Sequence, residues 1–309
     1  MGNTSSKTSP EEDNGASLED LLTHLKEHQR LNAAEFPRND VIEVFIRSSK
    51  PVPIVLSSDW HIGATGCDYD QYQKDMEFIL AHPELKLIVV GDMLENFVSF
   101  KNVSPILEQA ASPKMQRRIL EKLAARLAAN KSLVAACWGN HDAREEALIG
   151  DNIIANIISK ACPYFDGVGM VILYVGNTKE TAQRYTLILT HHAPGRSAMD
   201  KTFGAKKLYA SKFPADIICS GHFHQPAVSI DRHYEDARKL GFDFGGKRIM
   251  VSLGTYLTND SHSKRYWSAG CIGAPTVLFW PGEHRTEIFD SAESALIYRE
   301  GMRHWKVSK

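Results

Sequence analysis

Five apolar runs in this chain each end in a short cluster of histidine, aspartate or asparagine. "VPIVLSSDWH" delivers Asp59 and His61, and "LKLIVVGDMLEN" delivers Asp92 with Glu95 and Asn96 behind it. "SLVAACWGNHD" delivers Asn140, His141 and Asp142, "YTLILTHHAPG" delivers His191 and His192, and "ADIICSGHFH" delivers His222 and His224. A short, unbroken apolar run reads as a strand buried on both faces. In open α/β sheets the crevice beyond the strands' carboxyl ends is where ligands bind. Gly91, Gly139 and Gly221 precede three of the clusters and allow the backbone to turn sharply there.

A single D-x-H, GNH or GHxH means little, because buried histidines often satisfy core hydrogen bonds. Five clusters in succession, each behind an apolar run, point to metal. Oxygen and imidazole donors suit Mn, Fe, Zn or Ni. About seven donors exceed what one ion with open positions needs, and fit two ions that share a carboxylate. Cys67, Cys137, Cys162, Cys219 and Cys271 lie outside the clusters, and their number is odd with no CxxC pair. They imply a reducing compartment, hence a cytoplasmic protein, and no structural zinc ribbon.

The remaining sequence predicts one α/β domain. Residues 1–16 read as a disordered polar tail, and residues 17–50 as an N-terminal helix with a lead-in strand, "VIEVFIR". Residues 51–309 read as the main domain. Leu18, Leu21, Leu22 and Leu25 form the helical stripe, with Ser17 as its N-cap. His24 and His28 are one turn apart but have no third ligand nearby, so they read as a solvated face. "YDQYQKDMEFILA", Pro105 to Asn130 and "NIIANIISKA" read as helices. "VGMVILYVG", "KRIMVSLGT", "PTVLFWP" and "RTEIFD" add strands to the second half. No stretch is long and apolar enough to span a membrane. The start, "MGNTSS", fits the pattern for acylation at Gly2, which makes a membrane anchor the alternative location. A net charge of -1 excludes a global basic field drawn to nucleic acid, though not a local patch.

"DWH", "GDMLEN", "GNHD", "THH" and "GHFH" together resemble the five ordered blocks of the calcineurin-like metallophosphoesterases. The resemblance implies a four-layer αββα sandwich, with two mixed β-sheets flanked by helices. It implies that Asp59, His61 and His224 hold a first divalent ion, that Asp92 bridges, and that Asn140, His191 and His222 hold a second. His191 and His192 are adjacent, and neighbours on a strand face opposite ways. His191 directly follows "LILT" and is taken as the ligand, which leaves His192 either behind the ligands or facing substrate. The resemblance also places His141 beside the leaving group, with Asp142 on its other ring nitrogen. Asp142 reads equally well as a helix N-cap before "AREEAL".

The activity so implied is hydrolysis of a phosphomonoester or phosphodiester by a hydroxide bridging two metal ions. Mn2+ is the first choice of metal, with Fe, Zn, Ni or Mg as the others. Asn96, Arg144, His192 and Arg196 are the candidate substrate contacts, and the substrate could be a nucleotide or nucleic acid. Lys201, Lys206, Lys207 and Lys212 could flank a polyanion, and Tyr256, His262, Tyr266 and Trp267 could form a substrate wall. Two alternatives remain open. One is a Mn-dependent DNA nuclease, since "SDWHIG" opens much as the "SDxHxG" of the superfamily's nucleases. The other is a non-catalytic metal-binding scaffold of the same fold. The sequence does not set the oligomeric state.

Overall fold

A computed structural model describes residues 17–35, 41–96, 109–144, 150–193, 195, 197, 199–209, 215–231, 247–258 and 270–302. The chain divides into two compact units, Met1–Asn39 and Asp40–Lys309. In the first, helix α1 (Leu18–Glu35) begins at Ser17, whose hydroxyl accepts from the Asp20 amide at 3.2 Å. Leu18, Leu21, Leu22 and Leu25 are all exposed, so within this unit the stripe covers nothing.

The second unit is built on two six-stranded mixed sheets. Strands are numbered in chain order. The first sheet orders β1 (Val41–Arg47), β6 (Gly169–Gly176), β7 (Gln183–Thr190), β8 (Ile217–Ser220), β10 (Arg248–Ser252) and β9 (Ala227–Asp231) from edge to edge. The second orders β12 (Thr286–Phe289), β11 (Thr276–Phe279), β2 (Val52–Ser57), β3 (Lys86–Val90), β4 (Leu133–Cys137) and β5 (Tyr164–Phe165). β1 pairs in parallel with β6 and falls within the unit Asp40–Lys309.

The apolar runs are unbroken because both faces of their strands are covered. Ile54, Leu56, Ile88 and Val90 of the second sheet pack against Leu173, Leu187, Leu189 and Val251 of the first. The alternate residues Val55, Leu87 and Val89 turn the other way, onto α2 (Tyr69–Ala81), α3 (Pro113–Ala129) and α4 (Ile153–Ile158). On the far side, Ala205 of α5 (Phe203–Tyr209) covers Ile188, Ile218 and Met250. The result is the four-layer αββα sandwich. A last helix, α6 (Ala292–Gly301), packs on Leu278 of β11.

Local chemistry trims the predicted elements. The helix expected from Pro105 starts at Pro113, because Ser112 caps it through the Met115 amide and a first-turn proline has no donor to lose. Residues 109–112 are non-helical, and residues 101–108 lie outside the described residues. The short edge strands β5 and β9, and the helices α5 and α6, carry no strong periodicity and are additions to the sequence reading. Among the described residues, no helix is long and apolar enough to cross a membrane. Cys67, Cys137, Cys162 and Cys219 are buried free thiols.

Candidate metal centre

β2, β3 and β4 run parallel in one sheet, and β7 and β8 run parallel in the other. Their carboxyl ends therefore meet at one end of the sandwich. The loops that follow are laced by backbone bonds: Asp59 N–H donates to the Gly91 carbonyl and His61 N–H to the Asp92 carbonyl, each at 3.1 Å. Two glycines permit this. A Cβ at Gly139 would strike the amide and Oδ1 of Asp92, and one at Gly221 would strike Ser58 Oγ.

The donors expected from the sequence come together in two groups. In the first, Nε2 of His224 lies 3.1 Å from both Asp59 Oδ1 and Nε2 of His61. In the second, Nε2 of His191 lies 3.0 Å from Asp92 Oδ2 and 3.1 Å from Asn140 Oδ1. His222 joins Asp92 and His191, with its ring 5.4 Å from that of His191. Asp59 Oδ1 stands 3.9 Å from His191 Nε2, so the groups abut.

The second nitrogens settle what these contacts are. Nδ1 of His61 faces Glu95 Oε2 and Nδ1 of His191 faces the Val90 carbonyl, each at 2.8 Å. A carboxylate or carbonyl only accepts, so both rings carry their proton on Nδ1. The Nε2 of His191 then points at the acceptors Asp92 Oδ2 and Asn140 Oδ1, and that of His61 at Nε2 of His224. Asp59 Oδ1 is fully buried and accepts no hydrogen bond. Acceptors that converge in a buried place repel one another unless a cation or a proton lies among them.

The electrostatics agree. Burial opposes charge on Asp59 and Asp92, yet the neighbouring histidines hold both carboxyls below the usual range. Burial also opposes charge on His61 and His191, but Asp59 with Glu95 raises the first to about 10, and Asp92 with Asp59 raises the second to about 9. Protons on these rings do the work of cations. His222, by contrast, is pushed down to about 4 by burial and by the charge of His191.

The backbone marks the same place. Among the described residues, seven non-glycine residues have a left-handed φ: Asp59 (52°), His61 (47°), Asp92 (50°), Asn96 (43°), His222 (73°) and His224 (56°) at this site, and Lys131 (53°) after α3. Each costs on the order of 1–2 kcal/mol. That strain is borne where tight turns aim side chains inward.

His191 is buried and turned inward, while His192 is exposed, its ring 4.6 Å from that of His222. His141 borders the site, with Nε2 3.9 Å from Asp92 Oδ2 and its amide donating to Asp92 Oδ1 at 2.8 Å. Asp142 does not hold its other nitrogen. That nitrogen donates to the Glu95 carbonyl at 2.9 Å, with Glu95 Oε2 at 3.5 Å. Asp142 instead accepts from the amides of Asp92, Met93 and Gly139 at 3.0–3.2 Å, because its loop folds under the turn after β3. Residues 145–149 of the helix it was to cap lie outside the described residues.

Arg144 donates to Nε2 of His141 at 2.7 Å and to the Glu95 carbonyl at 2.9 Å. Asn96 is buried, and its Nδ2 donates to the His141 carbonyl at 3.3 Å. Arg196, Lys212, His262, Tyr266 and Trp267 lie outside the described residues. Lys206 of α5 pairs with Asp200 at 2.8 Å. Tyr256 is buried beneath the site rather than on a substrate wall.

Three further residues serve the site. Glu95 holds His61 and His141, and its spacing, three residues past Asp92, was the one available signal. Ser58 bridges Asp59 Oδ2 and the Val90 carbonyl. Gln116, fully buried on α3, accepts the Asn96 amide at 2.8 Å; nothing in the sequence near Asn96 points to it.

Fold and site together define a two-sheet α/β protein with a cluster of carboxylates and imidazoles at its strand ends that could hold metal. The model of the calcineurin-like phosphoesterase family matches residues 52–226, more than half of the sequence. The chain belongs to that family of metallophosphoesterases.

Several solved structures are similar at low identity. Vacuolar protein sorting 29 from Cryptosporidium parvum is 12% identical, over 78% of this chain and 97% of its own, with a TM-score of 0.41. The calcineurin-like phosphoesterase YfkN from Bacillus subtilis is 12% identical, over 79% and 89%, with a TM-score of 0.37. The Pseudomonas putida nuclease MPE is 14% identical, over 76% and 87%, with a TM-score of 0.30. No curated protein matches the sequence.

Proposed function

We propose that the protein is a dinuclear, metal-dependent phosphoesterase acting on a phosphomonoester or phosphodiester. The observation that carries this is the convergence of donors: with Nδ1 already engaged, Nε2 of His191 faces Asp92 Oδ2 and Asn140 Oδ1, while Nε2 of His61 and of His224 meet beside Asp59. Asp59, His61 and His224 would hold one cation, Asn140, His191 and His222 the other, and Asp92 would be shared. Mn2+ is the first choice, because every donor is an oxygen or an imidazole. When bound, two such cations supply neutralisation of phosphate charge and a nucleophile drawn from water near neutral pH.

The protein's own groups complete the chemistry. Glu95 fixes the His141 ring through Nδ1, so Nε2 is the atom left to meet the substrate. Arg144, already 2.7 Å from Nε2, is placed to pass its donors to a phosphate oxygen. Asn96 anchors the His141 main chain from below. Exposed His192 stands on the outer side of His222, where a substituent on the phosphate would extend. The free thiols of Cys67, Cys137, Cys162 and Cys219 suit a reducing, cytoplasmic setting.

The test is hydrolysis of aryl phosphate mono- and diesters by metal-free protein reconstituted with Mn2+. Turnover that needs the cation and stops with chelator is expected. Mn2+ binding without turnover on any phosphate ester would leave a binding scaffold as the correct reading.

A further inference from the structure

A second cavity lies behind the metal loops, between α2, β2 and the start of α6. It holds about 200 Å3, and none of the metal donors lines it. Its floor is apolar, from Val55, Met76, Phe78 and Ile79. Its polar groups are unbalanced. Asp75 projects from α2 and Asp290 also lines the cavity, yet among the described residues no lysine, arginine or histidine does. Asp75 is held by neutral donors instead: Gln71 Nε2 reaches Oδ1 and the Tyr256 hydroxyl reaches Oδ2, each at 2.7 Å. Burial keeps that phenol protonated, so it donates.

We propose that this cavity is a second ligand site, which takes a small aromatic or heteroaromatic cation. The ring would lie on the apolar floor and the cationic head would meet Asp75. A carboxylate that takes one neutral donor on each oxygen retains lone pairs for a charged donor, and a planar amidinium can use them in pairs. An apolar chamber with a few convergent polar groups is the ordinary form of a small-molecule site.

The cavity is also wired to the metal centre. Tyr256 donates its amide to the Asp59 carbonyl at 3.1 Å. Its ring meets Tyr72 edge-on at 5.1 Å, and Tyr72 meets Trp60 at 5.7 Å, between Asp59 and His61 in sequence. An occupant that pushes on Tyr256 therefore pushes on the loop that carries two of the proposed ligands.

The experiment uses the full chain and reads binding, not turnover, so it stands apart from the phosphoesterase assay. Benzamidine is titrated into protein carrying 13C-labelled methionine methyl groups, with benzamide as the neutral analogue. Saturable one-to-one binding that shifts the Met76 methyl, with benzamide at least tenfold weaker, is expected. Asp75→Asn should weaken benzamidine at least tenfold, and Ala292→Leu, which fills the mouth, should abolish the Met76 shift. Absence of saturation at millimolar benzamidine overturns the proposal. So does equal binding of benzamide, or a Met76 methyl that stays still while benzamidine binds elsewhere. These last readouts need only the wild-type protein, so a variant that misfolds does not shield the idea.

Discussion

Nε2 of His61 stands 3.1 Å from Nε2 of His224, although 163 residues separate them in the chain. With the His61 proton fixed on Nδ1 by Glu95, this contact persists only with a proton or a cation at it. Metal uptake must then displace protons. His61 rises to about 10 and His191 to about 9 without metal, so both are charged at neutral pH, and a cation needs them neutral. Mn2+ affinity should increase with pH all the way up to these raised values and level off above them. Calorimetry in two buffers of different ionisation heat should show one to two protons released at pH 7; zero release would contradict the assignment.

Asp92 lies 3.0 Å from His191 and 3.9 Å from His141, and is the carboxylate proposed above to be shared. Asp92→Asn should lower kcat/KM by about three orders of magnitude, the effect of losing about 4 kcal/mol of charge stabilisation. The check is Mn2+-reconstituted turnover alongside bound-metal content. Wild-type rates in this variant would remove Asp92 from the centre.

Glu95 and Asp142 should separate cleanly. Glu95→Gln weakens the grip on His61 and should reduce Mn2+ affinity about 10- to 100-fold, measured by metal titration. Asp142→Ala strips a buried acceptor from three amides and should cost about 3 kcal/mol of stability in urea denaturation. A loss of turnover in Asp142→Ala with unchanged stability would restore the role beside His141 that the sequence suggested.

The left-handed backbone makes its own prediction. His224 sits at φ 56°, so His224→Gly and His224→Ala both delete a donor, but only the second keeps a Cβ in a strained place. The metal-free glycine variant should be the more stable by about 1 kcal/mol. Thermal unfolding of the pair decides it, and equal midpoints would mean that the turn is not strained.

Gly221→Ala should be damaging for a different reason. Its methyl group would enter the Ser58 hydroxyl that supports Asp59. A loss of about 1–3 kcal/mol and weaker metal binding are expected from unfolding curves and titration.

Much of this was legible in the sequence because strand and ligand signals are local. "LKLIVVGD" announces a strand covered on both faces, and Leu87, Ile88, Val89 and Val90 are all fully buried. "YDQYQKDMEFILA" is helical from Tyr69 to Ala81, as its periodicity requires. β9 was not visible, since an edge strand with exposed Val228 and Ile230 lacks the unbroken apolar run that marks a central one. The role that the resemblance gave Asp142 differs from its contacts, because "GNHD" says nothing of side-chain direction, and two of its three amide partners lie 49 and 50 residues back.

The sequence alone determined which residue types stand at the ends of five buried strands, because side-chain alternation and apolar runs are properties of neighbours in the chain. Only the tertiary structure decided which of His191 and His192 faces inward, that Glu95 rather than Asp142 holds His141, and that Gln116 supports Asn96. These depend on contacts between loops from different sheets and from a distant helix. Such contacts are set by how strands register and layers pack, which no local pattern encodes.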